Sequence, residues 1–252
     1  MNKPKVVAII QARMRSTRLP GKVLLPLGPD NKSALWWMAT RASLADSVDE
    51  VWVATTIDLE NQPLCRAEKG RKFKFPNNVF RYDGDEDDVI GRVLACTKFA
   101  KADIIIDLTA DCPMIDPEHI DCLVRLLKKA KYDYASNCIY RDWPDGLDIQ
   151  VYWTKTLEDC IKLFNPKQHA GWNIHRYPST FDCHHYIAPP EMHRPDLGLT
   201  LDTKEDYAML VRLFNKFGSD PAFTAEEVVG FLCENPDWIT NKEIRRKSPE
   251  EG

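Results

Sequence analysis

The chain has 252 residues, enough to bury a full core, so a single domain spanning 1–252 is expected. Its 44% apolar and 29% charged residues are ordinary for a soluble globular protein, and a formal net charge of −4 argues against a general nucleic-acid binder, whose phosphate partner demands a basic face. No apolar stretch approaches the roughly 20 residues that cross a bilayer, so neither nucleic acid nor membrane is an expected partner and the expected location is cytoplasmic. The 8 cysteines include no CxxC pair and fit reduced, mostly buried thiols.

VVAII (6–10) is a short, unalternating apolar run, the mark of a strand buried on both faces. It leads into IIQARMRSTRLPGK (9–22), where Arg13, Arg15, Arg18 and Lys22 meet no acid before Asp30. Ser33 then caps a helix through ALWWMATRASLAD. EVWVATT (50–56) reads as a strand, Asp58 to about Lys72 as a polar helix, and NVFRY (78–82) as a strand. DEDDVIGRVLACTKFAKA is a helix with an acidic start, DIIIDLT (103–109) a buried strand, Pro117 the first turn of a helix, and YDYASN (132–137) a further strand. From Arg141 to Pro195 the rhythm becomes rich in Pro, His and aromatics, as in an inserted lobe. LGLTLDTKEDYAMLVRLFNKF returns to strand and helix, and 221–247 reads as a helix with an ordered tail.

Strands alternating with helices indicate βαβ units and a mostly parallel sheet, with ligands at the carboxyl ends of its strands. The basic loop, Thr55-Thr56 and Thr109-Ala110-Asp111 all leave strands at that end. Neither GxGxxG nor GxxxxGK[ST] is present, so the loop must hold an anion with side chains. Arg13 and Arg18 suit bidentate grips on phosphate, Ser16 and Thr17 supply hydroxyls, Lys22 is a point charge, and Gly21 is a flexible joint. The alternative is a solvated basic turn. Asp111 and Asp202 are each a single acid after an apolar strand; such a pair holds Mg²⁺ against phosphates, and the alternative is that each caps the next helix. Asp83 to Asp88 contains DxD strings but also reads as a turn and a helix start, with Asp85 and Asp88 as candidates for a ligand contact. His169, His175, His184, His185 and His193 match no zinc spacing. Trp36, Trp37 and Trp52 read as core. No Ser/His/Asp or Cys/His grouping is evident, which is compatible with a substrate that brings its own nucleophile.

IIQARMRSTRLPGKVLLPLG, VDEVWVATT, GDEDDVIGR, ADCPMIDPEHID, YASN, PDGLDIQVY and LTLDTKEDY together resemble, in order, the cytidylyltransferases that activate sugar acids. These include the CMP-Kdo and CMP-sialate synthetases and especially the spore-coat polysaccharide cytidylyltransferase-like group. The resemblance implies an α/β, mostly parallel, Rossmann-like nucleotidyltransferase sheet of the nucleotide-diphospho-sugar transferase type, with a dimerisation lobe at about 141–195. It implies CMP transfer from CTP to an acidic acceptor, in a homodimer. Arg13, Ser16, Thr17, Arg18 and Lys22 would bind the triphosphate, with Gln11, Ala12 and Ala110 beside the nucleotide and Thr55 and Asp85 near the cytosine and ribose. Asp111 and Asp202 would hold Mg²⁺, and Asn137, Asp148 and His169 would face the acceptor. Relatives usually have Gly where Ala110 stands, and an EHVTP-like string where KQHAGW stands. The acceptor therefore stays open, a 2-keto-3-deoxy sugar acid or a phosphonate, and CTP over UTP rests on the resemblance alone. A sugar-nucleotide glycosyltransferase using Asp83 and Asp85, and an inactive nucleotide-binding homologue, are the rival readings.

Overall fold

Runs of β-branched and aliphatic residues form the sheet, and capped amphipathic segments cover it. The computed structural model describes residues 3–66, 78–165 and 170–244. In chain order they form β1 (Val6–Gln11), the short pair β2 (Pro26–Leu27) and β3 (Lys32–Ser33), α1 (Ala34–Leu44), β4 (Glu50–Thr56), α2 (Gln62–Arg66), β5 (Val79–Tyr82), α3 (Val89–Ala100), β6 (Ile104–Thr109), α4 (Pro117–Ala130), β7 (Tyr134–Ser136), β8 (Gln150–Trp153), α5 (Thr154–Phe164), α6 (Ala170–His175), β9 (Cys183–His185), α7 (Lys204–Phe217) and α8 (Ala225–Glu234). The main sheet runs β5-β4-β1-β6-β8-β7-β9. β8 opposes β6 and β7, and the remaining pairs are parallel, which is the mostly parallel α/β sheet expected.

Val6 to Ile10 and Ile104 to Ile106 are 0% exposed because helices cover both faces. Ala8, Ile10, Ile104 and Ile106 pack with Leu35 of α1 and Ile120 and Leu123 of α4. Their alternates Val7, Ile9 and Ile105 pack with Val93 of α3, Leu157 of α5 and Ile174 of α6. A third cluster joins Trp37 and Trp143 to α7 and α8. Local chemistry sets the helix starts. Ser33 Oγ accepts from Trp36 N at 3.1 Å, Asp88 from Gly91 N at 3.0 Å, and Asp116 from Glu118 N at 2.8 Å, with Pro117 in the first turn.

The expected inserted lobe is not separate from the sheet. Its QVYW segment is β8, wedged between β6 and β7, with Ile105 opposite Tyr152 and Asp107 opposite Gln150. Val151 and Tyr152 pack into opposite hydrophobic layers, which marks an interior strand. A boundary at 141 would cut through the main core. The helix expected from Asp58 to Lys72 is a 3₁₀ turn, Leu59–Asn61, followed by α2, and residues 67–77 lie outside the described residues. Among the described residues no helix is long and apolar enough to cross a membrane. The 8 cysteines are free.

The Pro144-Asp145-Gly146 turn is locked onto the segment before α7. Asp145 N donates to Leu197 O at 2.9 Å, and Leu199 N to Asp145 O at 2.6 Å. Gly146 has φ +105°, and a Cβ there would sit 2.4 Å from the Leu199 carbonyl carbon. Gly146→Ala is therefore expected to cost at least about 2 kcal/mol and lower Tm by about 4–8 °C. Gly230→Ala in α8, where a Cβ meets nothing within 4 Å, should leave Tm equal or slightly higher. Melts followed by circular dichroism check both; an unchanged Tm for Gly146→Ala would remove the constraint.

Candidate active site

The carboxyl ends of β1 and β6 open into a cavity of about 1110 Å³. Its near wall is the basic loop. Ala12 N donates to Ala54 O at 3.1 Å and Gly21 N to Met14 O at 3.0 Å, which folds the loop back on itself. Met14 N is tied to Asn61 Oδ1 at 2.8 Å, and Ser16 Oγ accepts from Leu19 N at 3.2 Å. Gly21, at φ +70°, takes the left-handed turn that starts the 3₁₀ segment Lys22–Leu24. That turn carries Lys22 back under the loop.

Sequence order hides where the loop's counter-charges come from. Arg15 pairs with Glu60, Arg13 with Asp87 at 3.5 Å, and Arg18 with Asp202 at 2.9 Å. The charges that appear uncompensated along the chain are thus answered from three other segments. The Arg13 side chain is 52% exposed and that of Arg18 42%, so both keep access to the cleft.

Lys22 Nζ lies 2.7 Å from Asp111 Oδ2 and 2.7 Å from Asp202 Oδ1. The two aspartates therefore converge on one cation. Neither caps a helix. Asp116 caps α4, and Thr203 caps α7 in a reciprocal box with Asp206, so both carboxylates are left to face the cleft. Burial acting alone would lower the Lys22 pKa, but the two carboxylates hold the ammonium above its ordinary value. Burial likewise lifts Asp111, and Lys22 outweighs it and holds the carboxyl below its usual range. A pair of hard carboxylate oxygens on one cation is a donor set that suits Mg²⁺. No group of three or more His, Cys, Asp or Glu able to hold a metal occurs among the described residues, so a metal here would take its other ligands from water and substrate.

Gln11, Ala12, Arg13, Ser16, Thr17, Arg18, Lys22, Ala110, Asp111, Asp148 and Asp202 all line this one cavity. Three expected residues among the described ones do not. Thr55 is 0% exposed within β4 and lies in the interior rather than in the cavity wall. Asp85 sits in the turn before α3, where Oδ1 accepts from Asp87 N at 2.9 Å; Glu86 and Asp87 reach the wall instead. Asn137, 1% exposed, spends its amide on Leu147 O and Ile149 N, both at 2.8 Å, and so ties two chain segments together. His169 lies outside the described residues. The Asp83-to-Asp88 run is a turn and a helix cap, with Asp88 also accepting from Tyr82 Oη at 2.6 Å.

The cavity also holds residues that sequence reasoning missed. Asp107, in the middle of β6 and 3% exposed, accepts from Gln11 Nε2 at 2.6 Å and Tyr152 Oη at 2.8 Å. Arg92 of α3 donates to Glu86 O at 2.8 Å, with a longer 3.5 Å contact to Gln11 Oε1. Burial, then the neighbouring Arg13 charge, lowers its pKa. Arg141 grips both oxygens of Asp148, at 2.7 and 3.0 Å, and lies 3.5 Å from Asp145. A lone acid inside the apolar run IIIDLT was a readable signal for Asp107, and an Arg on the inward side of a helix was one for Arg92. Arg141 carried none.

The profile of the family described as Cytidylyltransferase matches residues 7–142. The spore coat polysaccharide biosynthesis protein SpsF of Bacillus subtilis (strain 168) is 33% identical over 244 residues, 94% of this chain and 98% of that protein. A solved cytidylyltransferase from Leptospira borgpetersenii serovar Hardjo-bovis (strain JB197) superposes with a TM-score of 0.84 at 29% identity, covering 97% of this chain and 100% of that one. A solved CMP:2-keto-3-deoxy-manno-octonic acid synthetase complexed with CTP has the same fold, with a TM-score of 0.60 at 19% identity over 84% of this chain and 99% of that one. The profile covers more than half of the chain and the Bacillus relative nearly all of it, so this protein belongs to the cytidylyltransferase family of nucleotidyltransferases.

Proposed function

We propose that the enzyme transfers the CMP moiety of CTP to an acidic acceptor, a 2-keto-3-deoxy sugar acid or a phosphonate, and releases pyrophosphate. One observation carries the reading: Asp111 and Asp202 share one ammonium at 2.7 Å each, with Arg18 at 2.9 Å from Asp202, inside a single cleft. Asp111 and Asp202 would hold Mg²⁺, and polarisation of the α-phosphate is the chemistry such an ion supplies. Lys22, released from its bridge, then turns its ammonium to phosphate oxygens. The cavity of about 1110 Å³ exceeds the roughly 300–1,000 Å³ of a single small-molecule pocket and accommodates two substrates side by side. The Bacillus relative's name, spore coat polysaccharide biosynthesis, supports a product destined for polysaccharide.

The acceptor's oxygen attacks the α-phosphorus in line, a sugar hydroxyl losing its proton to water as the bond forms and a phosphonate oxygen having none to lose. The bond from that phosphorus to the bridging oxygen of the β-phosphate breaks, and its electron pair leaves with pyrophosphate. Arg13, Arg18 and Lys22 neutralise the charge that grows on the leaving group, so catalysis is positioning plus charge stabilisation. The wall thiol of Cys112 is pushed well up by burial, then by the Asp111 and Asp148 charges, and stays a thiol rather than a nucleophile. Nothing in the geometry favours a glycosyltransferase, because Asp83 and Asp85 lie outside the cavity wall.

Arg18→Ala and Asp111→Ala are each expected to lower pyrophosphate release from CTP by about 10² to 10³-fold, with far-ultraviolet circular dichroism unchanged. Near wild-type turnover in either would remove that residue from the mechanism. Because Lys22 already fills the space between the carboxylates, Mn²⁺ should bind weakly to the nucleotide-free protein and much more tightly with CTP present. Electron paramagnetic resonance of free Mn²⁺ reads this directly; equal affinity with and without CTP would argue against the aspartate pair as the metal site. The same reading includes a homodimer, with Tyr140 (68% exposed) and Ile187 (71% exposed) as its apolar surface. Sedimentation should give twice the chain mass, and a monomer at micromolar concentration would discard it.

A further inference from the structure

The cleft has a loop end and a β6–β8 end, and at the second the cation Arg141 is paired with Asp148. The loop end is rich in guanidinium and ammonium groups. The other end is walled by Asp107 and Gln150, which face one another across β6 and β8, and by Asp148 and Trp172. At that end Asp107 is the anomaly. Its carboxylate sits in the middle of a central strand, yet both of its hydrogen-bond donors, Gln11 and Tyr152, are neutral. Arg92 is nearby but donates to Glu86 and Gln11, and among the described residues no cation bonds Asp107 directly. A carboxylate offers about four lone-pair directions, and two are used here. Burial pushes the Asp107 carboxyl up, against the pull of its two donors and of Arg92, so an ionised Asp107 is costly in the ligand-free fold.

Its surroundings are built rather than loose. Gln150 Oε1 is held by Tyr134 Oη at 3.0 Å, and a Cβ on Gly171 would lie 2.4 Å from that oxygen, so α6 is seated directly on Gln150. The Trp172 indole N–H, in the same wall, is buried and has no partner among the described residues. The compartment therefore offers one under-coordinated anion and one unused donor to a ligand.

We propose that Asp107 is the specificity-determining residue of the acceptor compartment, and that the acceptor is an acidic sugar bearing an amine whose N–H groups this carboxylate receives. The inference rests on the transfer reaction proposed above. The exocyclic amine of cytosine is a second source of the same chemistry, and the test separates the two.

Wild type and Asp107→Asn are compared in two measurements. Calorimetry with Mg²⁺ gives the affinities of CTP and UTP. Pyrophosphate release is followed with two acidic sugars identical except for an amine in place of one hydroxyl. In Asp107→Asn, kcat/KM for the amino sugar should fall about 30-fold, the loss of one charge-assisted hydrogen bond, while the hydroxyl sugar changes less than about 3-fold and CTP affinity holds within about 3-fold. An equal fall for both sugars, or none for either, overturns the proposal. Loss of CTP affinity together with loss of the preference over UTP assigns the donor to the base and overturns the acceptor assignment. If wild type binds CTP but releases no pyrophosphate with either sugar, the transfer reading fails. The Asp107 assignment then stands or falls on whether Asp107→Asn weakens calorimetric binding of the amino sugar to the CTP complex. Tyr152→Phe keeps the carboxylate and strips one donor. A purely structural Asp107 predicts that it copies Asp107→Asn on both sugars; the specificity role predicts that it spares the difference between them.

Discussion

The ammonium of Lys22, shared between Asp111 and Asp202, is the contact on which the site depends. Its partners are 89 and 180 residues away along the chain, so it forms only when the loop after β1, the end of β6 and the approach to α7 have docked. Two carboxylates this close repel each other and would drive one toward protonation. A lysine between them removes that penalty without a metal. All three side chains are at most 25% exposed, so water screens the interaction only in part. The cleft is thus close to charge-balanced, and on the proposed reading a triphosphate with its cation would enter by exchange: the incoming positive charge would take the carboxylates while Lys22 turned to the incoming negative charge.

Such an exchange needs carboxylates that have no other task. An aspartate that follows an apolar strand and precedes a helix ordinarily becomes the helix cap. Here the capping is delegated. Asp116 caps α4 and also accepts from Ala225 N at 2.7 Å, joining α4 to α8. Thr203 and Asp206 close α7, and Asp202 N itself donates to Asp206 Oδ2 at 3.2 Å. Because the caps are displaced along the chain, no helix terminus claims the carboxylate oxygens of Asp111 or Asp202, which are left to Lys22 and Arg18.

Much of this was legible in the sequence, for local reasons. VVAII and DIIIDLT could only be strands covered on both faces, and the basic loop with two isolated aspartates pointed to one crevice at the strand ends. What failed was non-local. The partners of Arg13 and Arg15, Asp87 and Glu60, come from elements that only the sheet order brings near. QVYW lies in the stretch whose changed rhythm suggested an inserted lobe, and only its register with β6 shows it to be interior. Thr55 lies one residue before the carboxyl end of β4, yet it is fully buried and absent from the cavity wall. The family resemblance placed Asn137 at the acceptor, but its amide is spent joining Leu147 and Ile149 to the end of β7.

The strand whose end leads into Asp111 carries the anomalous carboxylate, Asp107, four residues before it. β6 is hydrogen-bonded to β1 on one side and β8 on the other, and Ile104 to Ile106 are fully buried, so Asp107 is fixed by a ladder and Asp111 follows in the turn directly after the strand. An acceptor anchored near Asp107 is then presented to the phosphate end at a fixed reach. This separates two demands on one cleft. The cationic loop is indifferent to what attacks the α-phosphorus, whereas the β6–β8–α6 wall decides which molecule is long enough, and has the right donor, to bring an oxygen there. On this proposal substitutions in that wall would alter the choice of acceptor more than the Lys22 exchange, since the wall reaches the start of the loop through Gln11, which donates to Asp107, and not through Lys22, Asp111 or Asp202.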